Sequence, residues 1–224
     1  MKFILCAAIF ISIIGCGGNE KVAQTPEKEE PAVSLKTRVP GPAKLEPPDF
    51  EKRSSLRLVK NGEELRVGDS IDTALRIFRE EKNAYKIAEM PPGWKDPAYT
   101  CQGWDNGTMG FGAILYDDKM CMGLYHEYRA DQARLDEIVS TYERMFVGEP
   151  TRVIGSRVRY WFWENENHRM MICAVQSPKE GLNIAISLGD IKIMDIMGMS
   201  PEHAEKDRAA AEKLFQEALK KQTN

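Results

Sequence analysis

The sequence predicts an α+β domain, an antiparallel sheet with helices packed on one face, carried behind an apolar leader and a disordered proline-rich tether. Three observations predict it. Apolar residues recur at helical spacing in two stretches, Ile71, Ala74, Leu75 and Phe78, then Leu135, Ile138, Val139, Tyr142 and Phe146. Runs that alternate with a period of two, such as 157–163 and 182–188, follow and are separated by turn residues. The order helix then antiparallel strands occurs twice, over 70–128 and 131–188, which suggests two tandem helix-plus-meander units although the halves share no visible sequence similarity.

Each element has a local cause. Leu56, Leu58 and Leu65 flank the turn pair Asn61-Gly62, the pattern of a short hairpin. Asp69 or Ser70 caps the first helix, with Asp72, Arg76, Arg79 and Glu80 on its solvent side. A strand is expected at 84–88. Residues 91–107 read as loop, because Pro91-Pro92-Gly93, Asp96-Pro97, Gly103 and Asn106-Gly107 punctuate them. Strands are expected at 108–116 and 120–128 around Asp117-Asp118-Lys119. The second helix begins at Asp131 and stops at Gly148, and Pro150 forbids its continuation. Strands at 157–163, 169–175 and 182–188 follow. In the first, Val158, Tyr160 and Phe162 face one way and Arg159, Trp161 and Trp163 the other. Residues 191–196 read as a final strand. Ser200-Pro201 opens a terminal helix, with Ser at the cap and Pro at the first position, and its narrow stripe is Ala211, Leu214, Phe215 and Ala218.

The first eighteen residues, MKFILCAAIFISIIGCGG, are an address rather than part of the fold. Lys2 precedes an apolar run from 3 to 14, and then a small residue, Gly15, precedes Cys16. That is the plan of a secretory signal, and the run is shorter than the ~20 apolar residues of a membrane span. Residues Ile13-Ile14-Gly15-Cys16 resemble the lipobox of bacterial lipoproteins. The resemblance implies removal of residues 1–15, lipidation of Cys16 and anchorage to a membrane of a bacterial cell envelope after export from the cytoplasm. More than one acyl chain on the cysteine is the condition for stable anchoring. From 17 to about 50 the chain holds six of its twelve prolines, few apolar residues and alternating charges. Such a segment cannot bury enough surface to offset its ordering entropy. The division is therefore 1–15 signal peptide, 16–55 lipidated cysteine and tether, 56–199 α+β domain, and 200–224 terminal helix.

The motif Leu65-Arg66-Val67-Gly68-Asp69-Ser70-Ile71 resembles the start of the helical unit in small envelope proteins related to the outer-membrane assembly lipoprotein SmpA. The exit Gly148-Glu149-Pro150-Thr151, followed by a tryptophan-bearing meander, is similar to units of the same superfamily, which includes the beta-lactamase-inhibitor protein fold. The resemblance implies two tandem units of helices packed on a sheet, and binding of other proteins. It carries over no functional residue.

Composition excludes some functions. Net charge is −3 over 224 residues, with 42% hydrophobic and 29% charged residues, so bulk charge gives no case for a nucleic-acid partner. After Cys6 and Cys16, three cysteines remain, an odd number with no C-x-x-C spacing. Cys101 and Cys121 flank a hairpin and are candidates for a disulfide, while Cys173 suits a core strand. None of His126, His168 and His203 has partners at ligand spacing, and neither Glu164-x-Glu166-x-His168 nor Asp117-Asp118 makes a metal site, so no metal or cofactor is expected. No catalytic residue is assigned. The candidate binding surface is aromatic: Trp94, Tyr99, Trp104, Trp161 and Trp163, which either stack on a partner or fill the helix–sheet interface. Arg152, Arg157, Arg159 and Arg169 form a basic group. The expectation is a non-catalytic module for an envelope protein or a cell-wall polymer. The alternative is an envelope hydrolase with dispersed residues.

Overall fold

The computed structural model of the chain describes residues 45–222, apart from 53, 79–85, 89, 91–93, 95 and 178–180. The signal peptide, Cys16 and residues 17–44 of the tether lie outside the described residues. Among the described residues no helix is long and apolar enough to cross a membrane.

The chain opens with a small hairpin, β1 (Leu58–Lys60) and β2 (Glu63–Leu65). Its turn residues Asn61 and Gly62 both have positive φ, 53° and 80°, the geometry of a type I′ turn and the reason for the Asn-Gly pair. Helix α1 (Ile71–Phe78) follows, and Ser70 Oγ accepts the Thr73 N–H at 3.3 Å as its cap. Strands β3 (Lys86–Ala88), β4 (Tyr99–Asp105), β5 (Met109–Tyr116) and β6 (Lys119–Ala130) then form an antiparallel meander. Asp117 and Asp118 turn β5 into β6 with positive φ at both residues.

The second half repeats the plan. Asp131 caps α2 (Gln132–Met145), its carboxylate accepting the Arg134 N–H at 2.8 Å. A second meander follows: β7 (Thr151–Ile154), β8 (Val158–Glu164), β9 (His168–Ser177) and β10 (Gly181–Asp190). The eight strands make one sheet in the order β3-β4-β5-β6-β10-β9-β8-β7, every neighbour antiparallel. Two helix-plus-meander units are thus joined through their last strands.

Both unit helices pack on the same face. Leu135, Ile138, Tyr142 and Phe146 of α2 and Ala74, Ile77 and Phe78 around α1 meet Phe111, Tyr125, Trp161, Trp163 and Ile172 of the sheet, together with Leu58 and Leu65 of the hairpin. The opposite face is covered by the C-terminal elements, α3 (Ile191–Ile196) and the start of α4 (Pro201–Gln222). Ile193, Met194, Met199 and Ala204 bury Tyr160, Phe162, Met171 and Cys173 there. Leu45 and Phe50 already pack against this core, so order begins ahead of Leu56.

Three elements differ from the expectation. The stretch 99–105 is a strand although its punctuation reads as loop, because Tyr99 and Cys101 point to one face and Trp104 to the other, each into a core. Thr151–Ile154 is an extra edge strand beyond Pro150, where a missing N–H costs least. Residues 191–196 form a helix and not a strand, since the Asp190 carboxylate accepts the Lys192 N–H at 2.9 Å and the Ile193 N–H at 3.4 Å. An apolar run of six has no period of its own, and the cap decides.

One buried charge ties the C-terminal elements down. Arg169, at the start of β9, has a side chain only 6% exposed. It donates to Glu164 across the β8–β9 turn, to Asp195 on α3, and at 2.8 Å to the Met199 carbonyl just before α4. Substituting Asp195→Ala removes an acceptor from a guanidinium that water barely reaches. The expected loss is about 1.5–3 kcal/mol, the range for hydrogen bonds to charged groups, measured by urea unfolding. An unchanged unfolding midpoint would show that the α3 contact contributes nothing.

Candidate functional site

Two places on the molecule gather polar side chains from several elements. The first is a cross-strand row. Register places Asp105 of β4 opposite Gly110 of β5, and Gly110 opposite His126 of β6. The His126 ring lies across Gly110, where an added Cβ would stand 2.5 Å from ring atoms, so only glycine leaves it room. Its Nε2 is 3.1 Å from Asp105 Oδ2, and the Tyr128 hydroxyl donates to that same oxygen at 3.1 Å. The Gly107 N–H, in the turn after β4, donates to Asp105 Oδ1 at 2.6 Å. Burial pushes the Asp105 carboxyl up, yet the His126, Gly107 and Tyr128 contacts outweigh it and hold it below the usual carboxylate range. Burial of Tyr128 raises its phenol further above its ordinary value.

A carboxylate held against one imidazole nitrogen fixes the orientation of the ring. The space beside it limits what can be done. The adjoining hollow, among Leu124, Met171, Cys173, Val175 and Ala185, holds about 50 Å³. A water needs roughly 10–15 Å³ by this kind of measure, so the hollow takes a few waters or a methyl-sized group but no ring. Cys173 lines it too, two strands from His126 with Ala185 between them. The imidazole leans the other way, over Gly110, so the two residues do not form a thiol–imidazole pair.

The second place is a cleft of about 330 Å³ where four pieces of chain end together. Phe146, Val147, Glu149 and Thr151 come from the passage between α2 and β7, Trp163 and Glu164 from the end of β8, Ser55 and Leu56 from before β1, and Pro201 from the start of α4. The α2 stripe carries Phe146 to the floor, where its ring meets Trp163 edge-on at 5.7 Å. Val147 is wholly exposed at the mouth. The Trp163 indole N–H is buried and has no acceptor among the described residues. A buried donor left this way costs about 1–3 kcal/mol.

The other expected residues fall as follows. The five aromatics divide between the faces and form no common surface. Trp104, Trp161 and Trp163 are buried under the unit helices, Tyr99 is buried on the opposite face, and Trp94 packs edge-on against Tyr99 at 5.4 Å. The candidate disulfide between Cys101 and Cys121 is absent, and both carry free thiols. Strand β5 lies between them, and two strand spacings of ~9–10 Å exceed the reach of a bridge. Burial pushes the Cys101 thiol up to about 12. Of the basic group, Arg152 bonds Glu143 at 2.8 Å, Arg159 bonds Gln132 at 3.0 Å and Arg169 is buried among acids, so no shared anion site forms. Glu127 is held by Arg134 through two contacts, at 2.9 and 2.6 Å. Among the described residues no group of three or more His, Cys, Asp or Glu is placed to hold a metal ion. Sequence reasoning missed Asp105 and Tyr128 as partners of His126, and Ser55, Phe146 and Glu149 as neighbours of Trp163. The alternation of 120–128 places His126 and Tyr128 on one face, but only the β4–β5–β6 register adds Asp105.

Compared with protein-family models, with curated proteins and with solved structures, the chain matches none.

Two predictions follow from these geometries. Gly110→Ala should force the His126 ring off Asp105 and cost about 1–3 kcal/mol, as overpacking does. Shifted His126 ring signals in NMR, together with a lower unfolding midpoint, would report it, and unmoved ring signals would contradict the packing described. His168 supplies a pH dependence. Burial holds its imidazole below the ordinary value against the attraction of Asp190 and Asp49. The unfolded chain therefore takes up the proton first as pH falls through about 6.5, and stability declines in that window. Urea unfolding between about pH 7.5 and about pH 5.5 should show a steeper decline for the native chain than for His168→Gln. Equal slopes would remove His168 from the account.

Proposed function

We propose that the chain is a lipid-anchored bacterial envelope protein whose folded part is a non-catalytic binding module, held off the membrane by the proline-rich tether that follows Cys16. The signal-like leader and Cys16 support the anchor. The observation that carries the binding role is the cleft, a preformed concavity with an apolar floor and a polar rim. Its size lies at the lower end of the roughly 300–1,000 Å³ that small-molecule sites occupy. The partner is an envelope protein or a cell-wall polymer. A second reading, an envelope hydrolase, is favoured by the Asp105–His126 contact. The 50 Å³ beside that contact ranks it below the binding module.

The anchor and the binding role are testable together. Cys16→Ser should abolish lipid labelling and release the protein from membranes, while the native chain, crosslinked in place, should recover the same envelope partner or wall material repeatedly. Lipid labelling that persists in Cys16→Ser refutes the anchor. Crosslinking that recovers nothing reproducible removes the binding role.

A further inference from the structure

We infer that the cleft at the end of β8 receives a basic side chain of a partner protein, an apolar stem that ends in an ammonium or guanidinium group. This rests on reading the domain as a binding module and chooses a protein over a wall polymer as its partner. The charge of the lining carries the inference. Glu149 and Glu164 line the cleft, and no Lys, Arg or His does. Glu149 is exposed and is in no ion pair among the described residues. Glu164 contacts Arg169, but Asp195 contacts the same guanidinium, so one positive charge faces two carboxylates. The other guanidinium groups nearby stand outside the lining and are already engaged. Arg57, 6.0 Å from the centre of the Phe146 ring, pairs with Glu64 at 2.8 Å, and Arg152 pairs with Glu143 at 2.8 Å.

The backbone adds charge of the same sign. Helix α2 brings its C-terminal end to the wall with Met145 and Phe146. Phe146 is already extended, and its N–H goes to the Tyr142 carbonyl. The Glu143, Arg144 and Met145 carbonyls receive no backbone N–H among the described residues. A helix end left this way carries roughly half a negative charge. A bare metal ion does not suit the place, because Leu56, Phe146 and Val147 offer no side-chain oxygen to replace its hydration shell. They suit a stem instead, since lysine and arginine lay their methylene chains on apolar surface and keep the charge at the polar rim. Val147 is wholly exposed and stands ready at the mouth for that contact. An anionic group would meet two carboxylates and a helix end of its own sign, and a neutral group would cover Glu149 without pairing it.

The test uses the full chain in a detergent with an uncharged headgroup. The probes are capped tripeptides with alanine on either side of lysine or of arginine, and the control carries norleucine, a neutral stem, in the middle. The readout is the Val147 methyl signals in NMR, assigned by their loss in Val147→Ala. A saturable shift with a cationic peptide is expected, and none with the norleucine peptide. Glu149→Gln, an exposed change that leaves the core alone, should weaken binding about fivefold, as the stronger exposed ion pairs do. Raising the salt from about 0.05 M to about 0.5 M should weaken binding to the native chain as well. No saturable shift at millimolar cationic peptide, equal shifts from the norleucine peptide, or an unchanged affinity in Glu149→Gln overturns the assignment. So does a shift given by the neutral disaccharide of N-acetylglucosamine and by neither cationic peptide. If crosslinking still recovers an envelope partner while the Val147 signals stay still, the binding module stands and the basic-side-chain cleft falls.

Discussion

The structure depends on the pairing of β6 with β10. These are the last strands of two separate meanders, and they meet with α2 and three other strands between them in the chain. Closing that distance costs loop entropy that no local contact repays. The seam must therefore be well made, and it is: seven residue pairs run from Leu182 opposite Ala130 to Gly189 opposite Met122. One irregularity interrupts it, between Leu182 and Ile184, and Arg129 stands beside that point with φ of 59°. An extra residue is absorbed there so that the strong alternation of both strands stays in phase.

The seam also decides where everything else goes. Antiparallel pairing of the two final strands relates the meanders by an approximate two-fold axis normal to the sheet. Such an axis keeps each face on its own side, so α1 and α2, which precede their meanders in the same way, arrive on the same face. The other face is left with Tyr160, Phe162, Met171 and Cys173 and no helix from either unit. The short α3, the start of α4 and the segment around Leu45 and Phe50 cover it. Arg169 fixes that cover, because it sits on β9 and reaches both Asp195 and the Met199 carbonyl.

How far this was legible varies with the range of the cause. The hairpin at Asn61-Gly62, the α2 stripe and the Asp131 cap are local, and they stand in the sequence as they stand in space. So does the alternation of Tyr160 and Phe162 against Trp161 and Trp163, which the two cores divide between them. Strand β4 was hidden because its signal is tertiary. Its neighbours β3 and β5 hold it extended in spite of the glycine and the prolines around it. The candidate site was less legible still. Asp105 reaches His126 only through the register of three strands, and Glu149 and Trp163 come to line one cleft only through the meeting of chain ends. Residue spacing along one chain contains neither distance.

Both faces of the sheet are spent on cores, and this governs where a partner can bind. The tryptophans offered as a binding surface pack into the cores, with Trp104 and Trp161 closed under the helices and Trp94 partly buried on the other face. The register puts the His126 row and the Trp163 row at different heights along the strands, His126 opposite Ala185 and Trp163 opposite Met170. At the first the covering side chains leave about 50 Å³, and at the second α2, β7, β8 and α4 diverge and leave about 330 Å³. Trp163 is the last aromatic of β8, with one edge among Tyr142 and Phe146 and its residue at the cleft wall. It alone of the tryptophans belongs both to the core and to the larger opening. The same two-fold arrangement that buries the rest of the aromatic set thus leaves the larger cleft at an end where the helices run out.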